Sequence, residues 1–238
     1  MEKAGFHRGR IVLVYRLMDG IEFMKSLPDK SVDGLFTGPP WGIRVSSSST
    51  GHRRPDAKIK GGSNWLELIK DMTDEGARVL KDNGRCLIWL GIRYVGPVCK
   101  IVDALEYRWM IFVKFIPPRY MATLESYFDP IIYFAPFNAP WPGKIGVGKN
   151  KPQEYFKAST GKRDTSHPCA RPFRTVKDIL KDWFSEGEYV IDPFAGSDTT
   201  GFAARELNLK WDSCEIDPKM YPFGLERHRQ GILFENKS

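Results

Sequence analysis

Two short segments carry residue types at spacings suited to chemistry. In one, Asp192-Pro193-Phe194-Ala195-Gly196-Ser197-Asp198-Thr199-Thr200-Gly201 follows the β-branched run Tyr189-Val190-Ile191. A strand, a glycine-bearing turn and a helix start are therefore expected in succession, an arrangement that presents backbone N–H groups to a ligand at the carboxyl end of a parallel strand. Compared with the dinucleotide pattern G-x-G-x-x-G, Gly196 and Gly201 match, but Asp198 replaces the middle glycine. A carboxylate there adds bulk and repels a pyrophosphate, which argues against NAD or ATP. S-adenosylmethionine, a phosphate-free cation, meets no such conflict. Glu215, closing the next strand, is spaced to accept hydrogen bonds from ribose hydroxyls, and Asp192 is expected to organise the turn rather than perform chemistry.

The second segment is Thr37-Gly38-Pro39-Pro40-Trp41. It continues a strand expected over Val32–Thr37, and two prolines without N–H donors end ladder pairing there, so the chain must leave the sheet.

These segments resemble motifs of the amino-methylating DNA methyltransferases. The acceptor motif of that family is Asp, Asn or Ser followed by Pro-Pro and an aromatic residue, to which Gly38-Pro39-Pro40-Trp41 is similar. The segment from Asp192 to Gly201 is similar to its cofactor motif, and His167-Pro168-Cys169-Ala170-Arg171-Pro172 looks like the segment placed just ahead of it. The acceptor motif comes first along the chain, the circularly permuted order of the beta class, and the resemblance covers most of the chain. It implies catalysis around Thr37, Gly38, Pro39, Pro40 and Trp41. It also implies a cofactor site drawn from Asp19, Pro168, Arg171, Asp192, Phe194, Ala195, Gly196, Ser197, Asp198, Thr199, Thr200 and Glu215, and no metal. Thr-Ser-Pro-Pro-aromatic acceptors, with Asn where Asp198 stands, typify methylation of the cytosine 4-amino group, whereas Asp-Pro-Pro-Tyr leans towards adenine. This chain is nearer the cytosine pattern.

An exocyclic amine is a poor nucleophile because its lone pair is delocalised into the ring, so acceptors must hold its hydrogens and favour a pyramidal nitrogen. The Pro39 carbonyl can supply one acceptor, and Trp41 can stack on an extruded base. Gly38 departs from the family in having no side-chain acceptor, which leaves water, Thr37 or another carbonyl to replace it. Pro168-Cys169 admits a second reading, carbon-5 methylation through a cysteine nucleophile, but its place ahead of the cofactor motif fits the structural segment better.

The elements that must position these motifs alternate. Strands are expected over Ile11–Leu17, Val32–Thr37, Cys86–Leu90, Tyr189–Asp192 and Trp211–Glu215. Helices are expected over Gly20–Leu27, Asn64–Leu80 (stopped by Asn83-Gly84), Val98–Leu105, Thr175–Phe184, Thr199–Leu207 and Lys219–Arg229. Trp109–Phe115 and Tyr127–Phe134 read as an antiparallel hairpin turning at Pro117-Pro118, and Ala135–His167 offers no clear element. The fold expected is a doubly wound, Rossmann-like α/β methyltransferase sheet, mainly parallel, with an antiparallel hairpin at one edge. With 238 residues, 42% of them hydrophobic, the chain is sized for one domain carrying two excursions.

Those excursions, about 45–63 and 135–166, concentrate the charge behind a net +7. Arg44, Arg53, Arg54, Lys144, Lys149 and Lys151 beside the motifs are suited to phosphate contacts. The four widely spaced cysteines indicate neither zinc nor disulfides. With no signal-like or membrane-spanning run, a soluble cytoplasmic protein is expected. The partner expected is nucleic acid, DNA ahead of RNA, with the oligomeric state open and a homodimer among the options. The alternatives are an RNA cytidine amino-methyltransferase, adenine 6-amino methylation, and a relative that binds nucleic acid without catalysis.

Overall fold

A computed structural model of the chain describes residues 14–40, 65–121, 124–142, 152–158 and 171–235. All described strands join one sheet in the order β1-β8-β7-β2-β3-β5-β4-β6. The strands are β1 (Val14–Leu17), β2 (Val32–Thr37), β3 (Leu80–Trp89), β4 (Glu106–Met121), β5 (Leu124–Ala135), β6 (Tyr155–Lys157), β7 (Tyr189–Asp192) and β8 (Lys210–Glu215). The first five of that spatial order run parallel, and β5 and β4 form the antiparallel pair beyond them.

Alternation along the central strands divides the core in two. On β3, Leu87 and Trp89 enter one apolar cluster while Cys86 and Ile88 enter the other; on β7 the pair is Val190 and Ile191. The first cluster lies under α4 (Phe173–Trp183), α5 (Thr199–Glu206) and α6 (Tyr221–Glu235). The second lies under α1 (Gly20–Lys25), α2 (Trp65–Val79) and α3 (Val95–Ile101). Both faces of the parallel strands are thus covered, which is why these strands read as nearly continuous apolar runs. The doubly wound sheet expected from the sequence is the one observed.

Several boundaries differ, each for a local reason. Asn83-Gly84 does not follow a helix end; it lies inside β3, where Val32 pairs with Leu80 but Gly34 pairs with Arg85, so the intervening residues bulge out of the ladder. Pro117-Pro118 is not the hairpin turn. β4 runs through it to Met121, opposite Leu124, and the register shifts between Lys114 and Arg119 because neither proline can donate to the ladder. The segment expected to lack structure contains β6, which pairs with β4 through Phe112–Lys114. The helix expected over Val98–Leu105 starts earlier, after a 3-10 turn at Ile92–Tyr94, and ends at Ile101.

Candidate active site

The parallel strands β2 and β7 lie side by side, with Gly34 opposite Val190 and Leu35 opposite Ile191, so their carboxyl ends bring Thr37 beside Asp192. The Thr37 hydroxyl donates to Asp192 Oδ1 at 2.7 Å, and the Thr200 hydroxyl donates to Oδ2 at 2.7 Å. The Phe194 backbone N–H also donates to Oδ1, at 3.1 Å. One carboxylate therefore clamps the end of the acceptor strand, the start of the glycine turn and the first turn of α5. Burial pushes its pKa up to about 6, opposed by the hydrogen bonds from Thr200, Thr37 and Phe194. Asp192 organises the turn, as its sequence position suggests, and reaches further than expected.

The turn itself is fixed by backbone and buried polar groups. Gly196 adopts φ +58, a left-handed conformation that glycine accepts without steric cost. Its N–H donates to Glu215 Oε2 at 3.0 Å, while Glu215 Oε1 accepts from Asp217 N–H at 2.8 Å. Burial raises the Glu215 pKa against these bonds. Each carboxylate oxygen keeps capacity for a second donor, so Glu215 can hold the turn and still receive ribose hydroxyls. Asp19 caps α1 by accepting from Ile21 and Glu22 N–H. The next residue, Gly20, has no room for a side chain, since a Cβ there would lie 2.4 Å from the Pro193 carbonyl oxygen. The partly buried Phe194 ring lies 3.0 Å from that same point.

Asp198 has a different role from the one its sequence position suggests. It is fully buried, in the left-handed region at φ 50, and caps α5 by accepting from Gly201 N–H at 3.1 Å. Its other oxygen lies 2.6 Å from His228 Nε2 on α6. The carboxylate is thus directed inward, bonded to the start of α5 and to α6. Ser197 is buried and its carbonyl accepts from Arg227 Nε, and Thr199 is buried at the helix start.

At the acceptor end, Pro39 is buried and Pro40 exposed. Thr37 is one candidate to replace the acceptor missing at Gly38. Its hydroxyl hydrogen is committed to Asp192, and strand alternation points its side chain away from the face that Gly38 shares. That face is occupied by Arg171. A Cβ on Gly38 would lie 1.7 Å from Arg171 Nη2. The sequence places Arg171 in the cofactor set; its guanidinium is seated beside Gly38 at the end of β2, donating to the Trp89 carbonyl at 3.0 Å with Cζ 4.4 Å from the Trp89 ring centre. Trp41, Arg44, Arg53, Arg54, Lys144, Lys149, Lys151, Pro168 and Cys169 lie outside the described residues.

Several contributors left no local signal in the sequence. Tyr15 donates from its hydroxyl to the Gly196 carbonyl and stacks on Tyr221 at 4.7 Å. His228 partners Asp198 and stacks on Trp211, 4.9 Å between ring centres. Nothing around Tyr15 or His228 departs from an ordinary strand or helix pattern, and only the fold brings them to the turn. The cofactor expected from the sequence fits what is there: a glycine turn in the left-handed conformation and a partly buried carboxylate at the neighbouring strand end.

The family model described as DNA methylase, covering the N6 and N4 enzymes, matches residues 32–224. The chain belongs to this N6/N4 DNA methylase family. Among curated relatives it is 23% identical to the type II methyltransferase M.HpaI of Haemophilus parainfluenzae, over 88% of this chain and 72% of that protein. Among solved structures it is similar to the cytosine-N4-specific PvuII DNA methyltransferase, with TM-score 0.70 and 16% identity over 90% of this chain and 85% of that one. It is also similar to M1.HpyAVI in complex with its cofactor SAM, with TM-score 0.67 and 19% identity over 91% and 98%. The two structures share the fold. The family supplies the class of reaction, S-adenosylmethionine-dependent amino-methylation of DNA.

Proposed function

We propose that the protein transfers a methyl group from S-adenosylmethionine to the 4-amino group of cytosine in DNA. The observation that carries this reading is the Asp192 clamp. It holds the end of the acceptor strand (through Thr37) and the first turn of the cofactor helix (through Thr200) within two hydrogen bonds of each other. In-line transfer depends on that proximity. Cytosine is favoured over adenine because the Asp-Pro-Pro-Tyr pattern associated with adenine needs a carboxylate at position 38. Here the position is glycine and the space is filled by a guanidinium.

When bound, S-adenosylmethionine supplies an electrophilic methyl group on its sulfonium. Gly196, Glu215 and the α5 start would hold it, with Glu215 receiving the ribose. The Pro39 carbonyl accepts one amine hydrogen and so favours the pyramidal nitrogen whose lone pair can attack. No covalent enzyme intermediate is needed. The basic residues Arg44, Arg53, Arg54, Lys144, Lys149 and Lys151 are assigned to phosphate contacts.

The test is incubation with labelled cofactor and either genomic DNA or ribosomal RNA, followed by digestion to nucleosides and mass spectrometry. N4-methyldeoxycytidine from the DNA pool is expected. N6-methyladenine would replace the cytosine reading, methylcytidine from RNA would replace DNA, and no methylated nucleoside from either pool would leave a binding protein without catalysis.

A further inference from the structure

Gly38 leaves a gap where the family resemblance expects an acceptor side chain, and that gap is filled from elsewhere in the chain. A Cβ at position 38 would meet three atoms of one guanidinium: Arg171 Nη2 at 1.7 Å, Cζ at 2.6 Å and Nε at 2.8 Å. Glycine at 38 and arginine at 171 are therefore one arrangement, since any larger residue at 38 would expel the guanidinium. The guanidinium is also held independently of Gly38. Nη2 donates to the Trp89 carbonyl, and the cation lies over the face of the buried Trp89 ring. Trp89 lies in the register position beside Gly38, because Thr37 pairs with Ile88. Its indole N–H is directed to the buried Asp129 carboxylate, 3.4 Å away.

A guanidinium has five donors, no acceptor and a permanent charge. It cannot hold the hydrogens of an amine, so a side chain of opposite hydrogen-bonding character now stands at the mouth of the acceptor motif. Beside its 4-amino group, cytosine presents two adjacent acceptors, ring N3 and O2. On its Watson–Crick edge adenine presents one, N1, followed by a C–H, its other acceptor beside the amine, N7, lying on the opposite side. An arginine fork matches paired acceptors, and these are the atoms that lose guanine's donors when cytosine is extruded from a duplex.

We propose that Arg171 reads the target base, its guanidinium taking the place of a side chain at position 38 and donating to N3 and O2 of the cytosine whose amine is methylated. The inference rests on the cytosine reading given above. Acceptor strength at N3 and O2 is greatest while the amine lone pair is delocalised into the ring, and falls as that nitrogen becomes pyramidal. The contact therefore favours the bound ground state, and its loss should appear in KM more than in kcat.

The test uses the full chain and duplex DNA carrying either cytosine or 3-deazacytosine, in which C–H replaces ring N3, at the target position. For the wild type, the deaza base should lower kcat/KM by tenfold or more. In Arg171→Ala, the rate on cytosine should fall at least tenfold, mainly through KM, and the two bases should become equivalent within about threefold. Gly38→Ala displaces the guanidinium without removing it and should give the same loss of discrimination, which covers the case in which Arg171→Ala does not fold. Cofactor affinity is measured in parallel by calorimetry. Discrimination unchanged from wild type in both variants overturns the proposal, and a loss confined to cofactor affinity reassigns Arg171 to the cofactor. If the wild type makes N6-methyladenine, the cytosine reading itself has failed; if it makes N4-methylcytosine without the coupling, only this inference has.

Discussion

The cofactor end and the acceptor end sit on adjacent strands but are built from different materials. At the cofactor end, three carboxylates are consumed by the scaffold: Asp192 by two hydroxyls and an amide, Asp198 by an amide and His228, and Glu215 by two amides. These bonds tie the turn to β2, α5, α6 and the end of β8. At the acceptor end the groups are a glycine, two prolines, a tryptophan ring and a guanidinium, whose contacts include a hydrogen bond to the Trp89 carbonyl and the face of the Trp89 ring. The first region is specified by buried polar bonds that tolerate little change. The second is specified by shape and by a charge that can be exchanged. Binding the same cofactor on every turnover calls for the first kind of construction, and reading one base among four calls for the second.

Gly196 is where the two ends separate most directly. Gly196→Asp brings bulk and charge to the turn and should weaken cofactor affinity at least 100-fold, roughly 3 kcal/mol, while DNA affinity stays within about threefold. Calorimetry for the cofactor and fluorescence anisotropy for DNA would check it. Equal losses in both would mean the two ends are not separable.

Asp192 gives a pH signature of similar size. Its folded pKa, about 6, lies above the ordinary carboxylate value. The stability it contributes is therefore complete below pH 4 and is lost as pH rises through 6. A rise of that size in a carboxyl pKa corresponds to about 3 kcal/mol. Relative to wild type, Asp192→Asn should gain by up to about that amount between pH 4 and 7, as followed by urea unfolding. A flat difference across this range would show that the carboxylate is not buried as described.

These two tests address what the sequence made legible. β2 and β7 were readable to the residue because short, largely apolar runs closed by Pro39-Pro40 or by Pro193 leave one interpretation. Asp192, Gly196 and Glu215 followed from the strand-turn-helix join. Asn83-Gly84 and Pro117-Pro118 misled, because turn residues also serve bulges inside a ladder and only the partner strand decides between the two. The inward turn of Asp198, the service of Tyr15 and His228, and the seat of Arg171 were invisible. Each is a contact between side chains distant in sequence that leaves local periodicity unchanged.

A smaller effect is expected at the edge of the cofactor end. His228→Ala removes the partner of one Asp198 oxygen in a buried site and should cost about 1–3 kcal/mol of stability. Because Asp198 shapes the turn, cofactor affinity should fall severalfold with it, and chemical denaturation together with calorimetry would show both. Stability lost without any change in affinity would place His228 outside the site. In the basic stretch at about 45–63, Arg53→Ala with Arg54→Ala should reduce the slope of log affinity against log salt by up to about 2, with little effect on cofactor binding. An unchanged slope would make that charge a bystander.

The hydrogen bond from Thr37 to Asp192 spans 155 positions of sequence. Donor and acceptor are thus registered to one another by a strand pair and a shared carboxylate, and the length of chain between them plays no part in setting the distance. The excursions at about 45–63 and 135–166 lie in that interval, and they can change in length and sequence without moving the two strand ends apart so long as the core elements around them hold β2 against β7. A recognition segment can then diversify at the pace of its targets while the distance over which the methyl group travels stays fixed.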